Sequence, residues 1–275
     1  MTPRVPRRRL GVAGWPVAHS RSPAMQNAAL AHVGLAGWRY QLLPIPPALI
    51  EQTLRALPDA GFAGVNVTIP HKRAALAVAT DPTERSRAIG ASNTLVYHGD
   101  GTIWADNTDG PALTECLAGL PSPVTSPRSA LVLGAGGSAR AALWALRDAG
   151  VADLAIWNRT AERAVALAAE FDARAVDGAH AARAVELLVN CTAVELHGAD
   201  PFAELPITAG QIAGCGALAD YAYAGGETRL VAAARRAGVQ AVDGLELLVA
   251  QGALSFEQFT GRAAPREVMR AAVRP

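Results

Sequence analysis

Lysine is almost missing from this chain: among 25 basic residues Lys72 is the single lysine, and every other is arginine. Arginine keeps its proton in proteins, so a cationic side chain that gives up a proton has one candidate here. A solvated side chain in an arginine-biased composition is the other reading of the same residue. Cysteine is scarce too. Cys116, Cys191 and Cys215 stand far apart without metal-ligand or redox-pair spacing, which excludes a disulfide framework and fits a reducing compartment. No metal site is expected. Aromatic residues make up 5% of the chain and the net charge is +1, so neither nucleic acid nor a membrane surface is needed to account for the composition. No apolar run approaches the roughly 20 residues of a membrane span. The apolar stretch after the basic residues 4–9 breaks at His19 and Ser20, too early for a secretory signal. These absences leave a cytoplasmic protein with a small-molecule partner as the expectation, and a homodimer stays open.

What is present is an alternation of short apolar runs and helical stretches. The length, 275 residues, corresponds to about two domains and allows a sizeable core. Strands are expected over 10–15, 38–45 and 64–69. Helices are expected over 22–35, with Ser22 at the N-cap and Pro23 in first position, and from Pro46 and Pro47 through 57. This β-α-β-α-β order calls for a parallel sheet with right-handed crossovers. A helix over 82–90 and a hairpin over 92–104 follow. Polar residues collect where strands end and helices begin, which is where open α/β sheets bind ligands. Ser20 and Ser22 could offer two hydroxyls to one ligand or serve as turn and cap residues. Asp109, just before a helix, reads equally as an N-cap or an active-site carboxylate.

A Pro- and Ser-rich stretch, 121–128, reads as a surface connection. Beyond it comes a nucleotide-type unit: strand 130–133, then Gly134, Ala135, Gly136, Gly137, Ser138 and Ala139, then helix 140–149. Gly134 permits the tight turn, Gly136 lets the backbone approach a pyrophosphate, and Ala139 is small where helix and strand pack. The next strand, 154–157, ends about 20 residues past the glycines, where an NAD enzyme carries an acid for the ribose. This chain has Asn158, Arg159, Thr160 and Arg163 there. Two guanidiniums and a hydroxyl suit a 2′-phosphate, so the pattern points to NADP. Strands over 187–190, 216–221 and 239–242 and a helix over 228–237 complete the alternation. The last helical stretch, 245–259, includes Gln251, either solvent-facing or aimed at a ligand.

Eight ordered segments together resemble the shikimate dehydrogenase family. They are GWPVAHSRSP (14–23), NVTIPHK (66–72), IGASNTL (89–95), DNTDG (106–110), GAGGSARA (134–141), NRTAER (158–163), DYAY (220–223) and DGLELLVAQGALSFEQFTG (243–261). The resemblance implies reduction of 3-dehydroshikimate to shikimate with NADPH, in aromatic amino-acid (chorismate) biosynthesis. It implies an α/β fold of two domains: an N-terminal substrate-binding domain with a mainly parallel sheet, and a Rossmann-type NADP-binding domain, with the active site in the cleft between. The first would span 1–109, completed by 245–275, and the second 110–244.

At matching positions it implies Lys72 and Asp109 as the catalytic pair, and Ser20, Ser22, Thr68, Asn93, Tyr223 and Gln251 as substrate ligands. Gly134 to Ser138 would hold the pyrophosphate, Asn158 to Arg163 the 2′-phosphate end, and Glu84, Tyr221 and Gly244 would lie near the cofactor. The chain departs from the family at Gln26, Pro111, Ala112, Glu195 in place of glycine, Gly225 in place of proline and Leu247 in place of methionine. Glu195 and Leu247 bear on cofactor placement. The competing readings are a quinate or aminoshikimate dehydrogenase, and a non-catalytic NADP-binding sensor, which has no use for both Lys72 and Asp109.

Overall fold

The computed structural model describes residues 8–178, 185–223 and 226–274; the first seven residues and Gly225 lie outside the described residues. Strand β1 (Arg9–Gly14) is buried from Leu10 onward, as a strand flanked on both sides must be. It pairs in parallel with β2 (Arg39–Pro44) and with β3 (Phe62–Val67). Helix α1 (Ser22–His32) makes the first crossover; a 3-10 turn, Pro47–Leu49, leading into α2 (Ile50–Ala56) makes the second. The order β2-β1-β3 places a topological switch point between β1 and β3.

Helix α3 (Lys72–Val78), strand β4 (Asp81–Pro82) and helix α4 (Glu84–Ile89) follow. Strand β5 (Thr94–Tyr97) then runs antiparallel to β3 and to β6 (Ile103–Asp106), and β4 closes the edge parallel to β6. The hairpin thus ends the parallel run that the first three strands set up, because a short turn can only join antiparallel neighbours.

Two local expectations are corrected. Arg21, not Ser22, occupies the N-cap of α1, and Ser22 is its first helical residue; the Ser20 hydroxyl accepts from the Ser22 N–H at 3.3 Å. The helix over 82–90 is shorter than expected. Pro82 belongs to β4, Thr83 caps α4 by accepting from the Ser86 N–H, and Gly90 ends it at φ +69°.

The chain divides into two compact units, Met1–Thr108 with Leu248–Pro275, and Asp109–Leu247. In the first, Val65, Val67, Leu95 and Ala105 of the sheet share a core with Leu54 and Val78 of the helices. The second begins with α5 (Asp109–Ala118) and, among the described residues, holds six parallel strands: β7 (Ser129–Leu133), β8 (Asp153–Trp157), β9 (Arg174–Ala175), β10 (Leu187–Asn190), β11 (Ala217–Asp220) and β12 (Gln240–Val242). Their order, β12-β11-β10-β7-β8-β9, is the doubly wound order of a dinucleotide-binding sheet, with its switch point between β7 and β10. Alternate residues face opposite ways. Ala130 and Val132 pack with α6 (Gly137–Asp148) and α7 (Ala161–Glu170), whereas Leu131 and Leu133 pack toward the helix Arg229–Arg236.

Candidate active site

In the first unit the carboxyl ends of β1 and β3 leave the sheet side by side. The Thr68 N–H donates to the Ala13 carbonyl at 2.8 Å, and the Trp15 N–H to Ile69 at 3.0 Å. Gly14 is needed for this approach, since a Cβ there would stand 2.6 Å from Thr68 Cγ2. The loop bearing Ser20 and Ser22 and the loop bearing Thr68 and Lys72 therefore leave from adjacent points. Because β5 is antiparallel to β3, its first residues lie at the same edge: the Val67 N–H donates to the Asn93 carbonyl at 2.8 Å.

Lys72 opens α3, is 8% exposed, and has no acidic residue in the first turn of its helix. A cation at a helix N-terminus opposes the helix dipole by about 0.3–1 kcal/mol, so helix stability does not explain a buried lysine at this position. Its carbonyl accepts from the Ser92 N–H at 2.9 Å. The preceding His71 is buried and donates from Nε2 to the Ile45 carbonyl at 2.8 Å; desolvation lowers its pKa, which keeps this imidazole neutral and structural.

Around Asn93 runs a buried hydrogen-bond network. Asn93 Oδ1 accepts from the Thr108 N–H (2.9 Å) and the Thr94 hydroxyl (3.0 Å), while Nδ2 donates to Thr108 Oγ1 (2.9 Å) and, at 3.4 Å, to Gln251 Oε1. Asn66 Nδ2 donates to the Asn93 carbonyl (3.1 Å) and to Ser255 Oγ (2.9 Å), and Asn66 Oδ1 accepts from the Tyr40 hydroxyl (2.8 Å). Asp106, 1% exposed, accepts from Thr83 Oγ1 (2.8 Å), Arg85 Nε (3.1 Å), Arg85 Nη2, the Asn107 N–H (2.8 Å) and Gln258 Nε2 (2.8 Å). Gln251, Ser255 and Gln258 come from the helix Gly244–Thr260. Their spacing of four and then three residues sets them on one helix face, so a polar stripe of this helix is spent on this sheet edge.

In the second unit the turn after β7 carries Gly134 at φ +103°, a conformation that glycine adopts without steric cost. A Cβ there would also lie 3.2 Å from the Cys191 carbonyl. Gly136 precedes α6, and a Cβ on it would meet nothing within 4 Å. Ala139 is fully buried in the core. Past β8, Asn158 Nδ2 donates to the Thr160 carbonyl (2.9 Å), and Arg159, Thr160 and Arg163 are exposed.

Gly244 opens its helix against the backbone after β11, where a Cβ would fall 2.2 Å from the Ala222 carbonyl oxygen. Tyr221 donates from its hydroxyl to the Asp109 carbonyl at 3.3 Å. Burial chiefly, then the charges of Cys191, Asp109 and Cys116, push its phenol well above the usual range, so it is a neutral donor. Asp109 itself is 5% exposed at the start of α5.

The structure thus groups Ser20, Ser22, Thr68, Lys72, Asn93 and Gln251 in the first unit, and places Asp109 and Tyr223 in the second with the glycine turn, Asn158 to Arg163, Tyr221 and Gly244. Glu84 is an exposed residue at the start of α4 in the first unit. Sequence reasoning passed over Asn66, Asp106, Thr108, Ser255 and Gln258. For the last two the signal was present, since they repeat the helical spacing of Gln251.

A doubly wound sheet with a glycine turn at its switch point, joined to a second α/β unit with a polar sheet edge, defines the class: a dinucleotide-dependent oxidoreductase of two α/β domains. The family models described as Shikimate dehydrogenase substrate binding domain, Shikimate / quinate 5-dehydrogenase and Shikimate 5'-dehydrogenase C-terminal domain match residues 12–95, 121–196 and 244–274. A shikimate dehydrogenase (NADP(+)) of Methylobacterium radiotolerans is 45% identical over 91% of this chain and 90% of its own length, and one of Paracoccus denitrificans 42% identical over 92% and 90%. The crystal structure of the Thermus thermophilus shikimate 5-dehydrogenase in complex with NADP(H) and shikimate superposes with a TM-score of 0.84 at 39% identity, covering 97% of this chain and 98% of that one. The chain belongs to the shikimate dehydrogenase family.

Proposed function

We propose that this protein reduces 3-dehydroshikimate to shikimate with NADPH, in the cytoplasm, as a step of aromatic amino-acid biosynthesis. The observation that carries the proposal is the carboxyl edge of the first sheet, where the loop bearing Thr68 and the chain's single lysine leaves next to the buried hydrogen-bond network of Asn93. In this reading residues 1–109 with 245–275 bind substrate and 110–244 bind NADP. Ser20 and Ser22 donate hydroxyls to the substrate carboxylate, and Thr68, Asn93, Tyr223 and Gln251 take the carboxylate or the ring hydroxyls. Asn93 is held from both ends of its amide, which fixes its orientation before the substrate arrives.

The second unit fits NADP on its own geometry. The space that a Cβ on Gly136 would enter is open, leaving room for a pyrophosphate against the backbone at the start of α6. Arg159, Thr160 and Arg163 stand exposed for the 2′-phosphate. When bound, NADPH supplies a hydride to the ketone carbon. Lys72 donates a hydrogen bond to the carbonyl oxygen as negative charge builds there and then passes it a proton, ending as a neutral amine. Asp109 is the second member of the catalytic pair in this reading.

The reading is tested by shikimate-dependent reduction of NADP in purified protein; tight NADP binding without that activity would instead support a sensor. Replacing both Arg159 and Arg163 with alanine is expected to raise KM for NADP about a hundredfold while the weaker use of NAD changes little. The Arg159–Glu204 pair lost with it, 3.8 Å apart and exposed, contributes little to stability.

A further inference from the structure

Glu195 is a buried carboxylate, 8% exposed. Its oxygens accept from the Arg229 N–H at 2.6 Å and the Leu230 N–H at 3.4 Å, the first two N–H groups of the eight-residue helix Arg229–Arg236. Those donors lack intrahelical partners, and an anion is favoured there. The segment that bears Glu195 leaves β10 directly beneath the glycine turn. The Cys191 N–H donates to the Leu133 carbonyl at 2.8 Å, and the Cys191 carbonyl touches the position where Gly134 lacks a Cβ.

The same segment is tied a second time. Asn190 Oδ1 accepts from the Thr192 hydroxyl (2.8 Å), and Asn190 Nδ2 donates to Asp220 (2.8 Å). Asp220 in turn accepts from the Thr228 hydroxyl (2.7 Å) and from the Ala222 N–H (3.0 Å). Thr228 caps the helix Arg229–Arg236, so the circuit closes on the helix that Glu195 holds. Burial pushes the Asp220 carboxyl up to about 6, Glu195 adding to the rise against the pull of its three hydrogen bonds.

We propose that Glu195 is a positioning residue for the cofactor: by clamping the segment after β10 to the N-terminus of the helix Arg229–Arg236, it sets that segment against the glycine turn and thereby tightens NADP binding. The inference rests on NADP lying at that turn. Titration calorimetry of NADP into the purified full chain tests both. Gly136→Val adds a side chain where the protein has open space, so it should fold normally and lose NADP binding; unchanged binding would defeat the placement of NADP itself.

With that placement standing, Glu195→Ala is expected to weaken NADP roughly tenfold while KM for shikimate stays within about twofold, and Glu195→Gln, which keeps one acceptor oxygen, is expected to recover part of the loss. Arg229→Pro removes the N–H that makes the shorter bond. Proline suits the first helical position, and Thr228 at φ −69°, ψ 155° already has the extended backbone that a following proline requires. It should reproduce Glu195→Ala and, combined with it, add little. Arg229→Ala keeps the N–H and loses only the exposed pair with Asp200, so it should bind NADP as the unaltered protein does. Full NADP affinity in a folded Glu195→Ala or Arg229→Pro variant would overturn the clamp, as would an equal loss of shikimate and NADP binding.

Discussion

Replacing Lys72 with alanine is expected to lower kcat about a hundredfold or more, with a much smaller change in KM for shikimate. Removal of a preorganised donor to a developing oxyanion costs on the order of 3 kcal/mol of barrier, and in the proposed mechanism the same group also delivers the proton. The fold should tolerate the change. Lys72 lies at the N-terminus of α3, where its charge opposes the helix dipole, and alanine is the best helix former. Lys72→Arg separates the two roles: it keeps the charge but holds its proton too tightly to donate it, so it should remain slow. Near-normal turnover in Lys72→Ala, measured as NADP reduction at saturating shikimate, would remove Lys72 from the chemistry.

The largest effect on stability is expected at Asp106. This buried carboxylate gathers Thr83, Arg85, Asn107 and Gln258, and Asp106→Ala would strand all of these donors at once. Breaking a buried ion pair from one side typically costs about 3–5 kcal/mol. The Arg85 side chain is 34% exposed and can turn to water, which puts the expected loss at the lower end, about 3 kcal/mol. Thermal unfolding should show it as a drop of several degrees in the melting of the first unit, and an unchanged Tm would contradict the role assigned to this carboxylate. Gln258 shares a helix face with Gln251, so kcat/KM for shikimate should fall as well.

The second unit was legible in the sequence because its signals are local. A buried run, a glycine turn and a helix follow one another within about 20 residues, and the alternation after them fixes a parallel sheet. The first unit was legible at its strand ends but not in what binds them together. Asn66 meets Ser255 across 189 residues of sequence, and the donors to Asp106 come from three stretches, Thr83 with Arg85, Asn107 and the distant Gln258; no periodicity announces such contacts.

The cap at Ser22 failed for a local reason, the Ser20 hydroxyl having reached the Ser22 N–H. Glu195 shows the opposite case. Sequence alone marks it as a departure that bears on the cofactor, and only the structure supplies its partners, because the helix Arg229–Arg236 begins 34 residues later.

The most direct measurement compares kcat/KM for shikimate and for quinate, each with NADP and with NAD, in the unaltered protein. Shikimate with NADP should exceed the other three combinations, since in the proposed reading Arg159, Thr160 and Arg163 bind through charge-assisted hydrogen bonds a 2′-phosphate that NAD lacks. A preference for quinate with NAD would contradict both the substrate and the cofactor assigned to this chain.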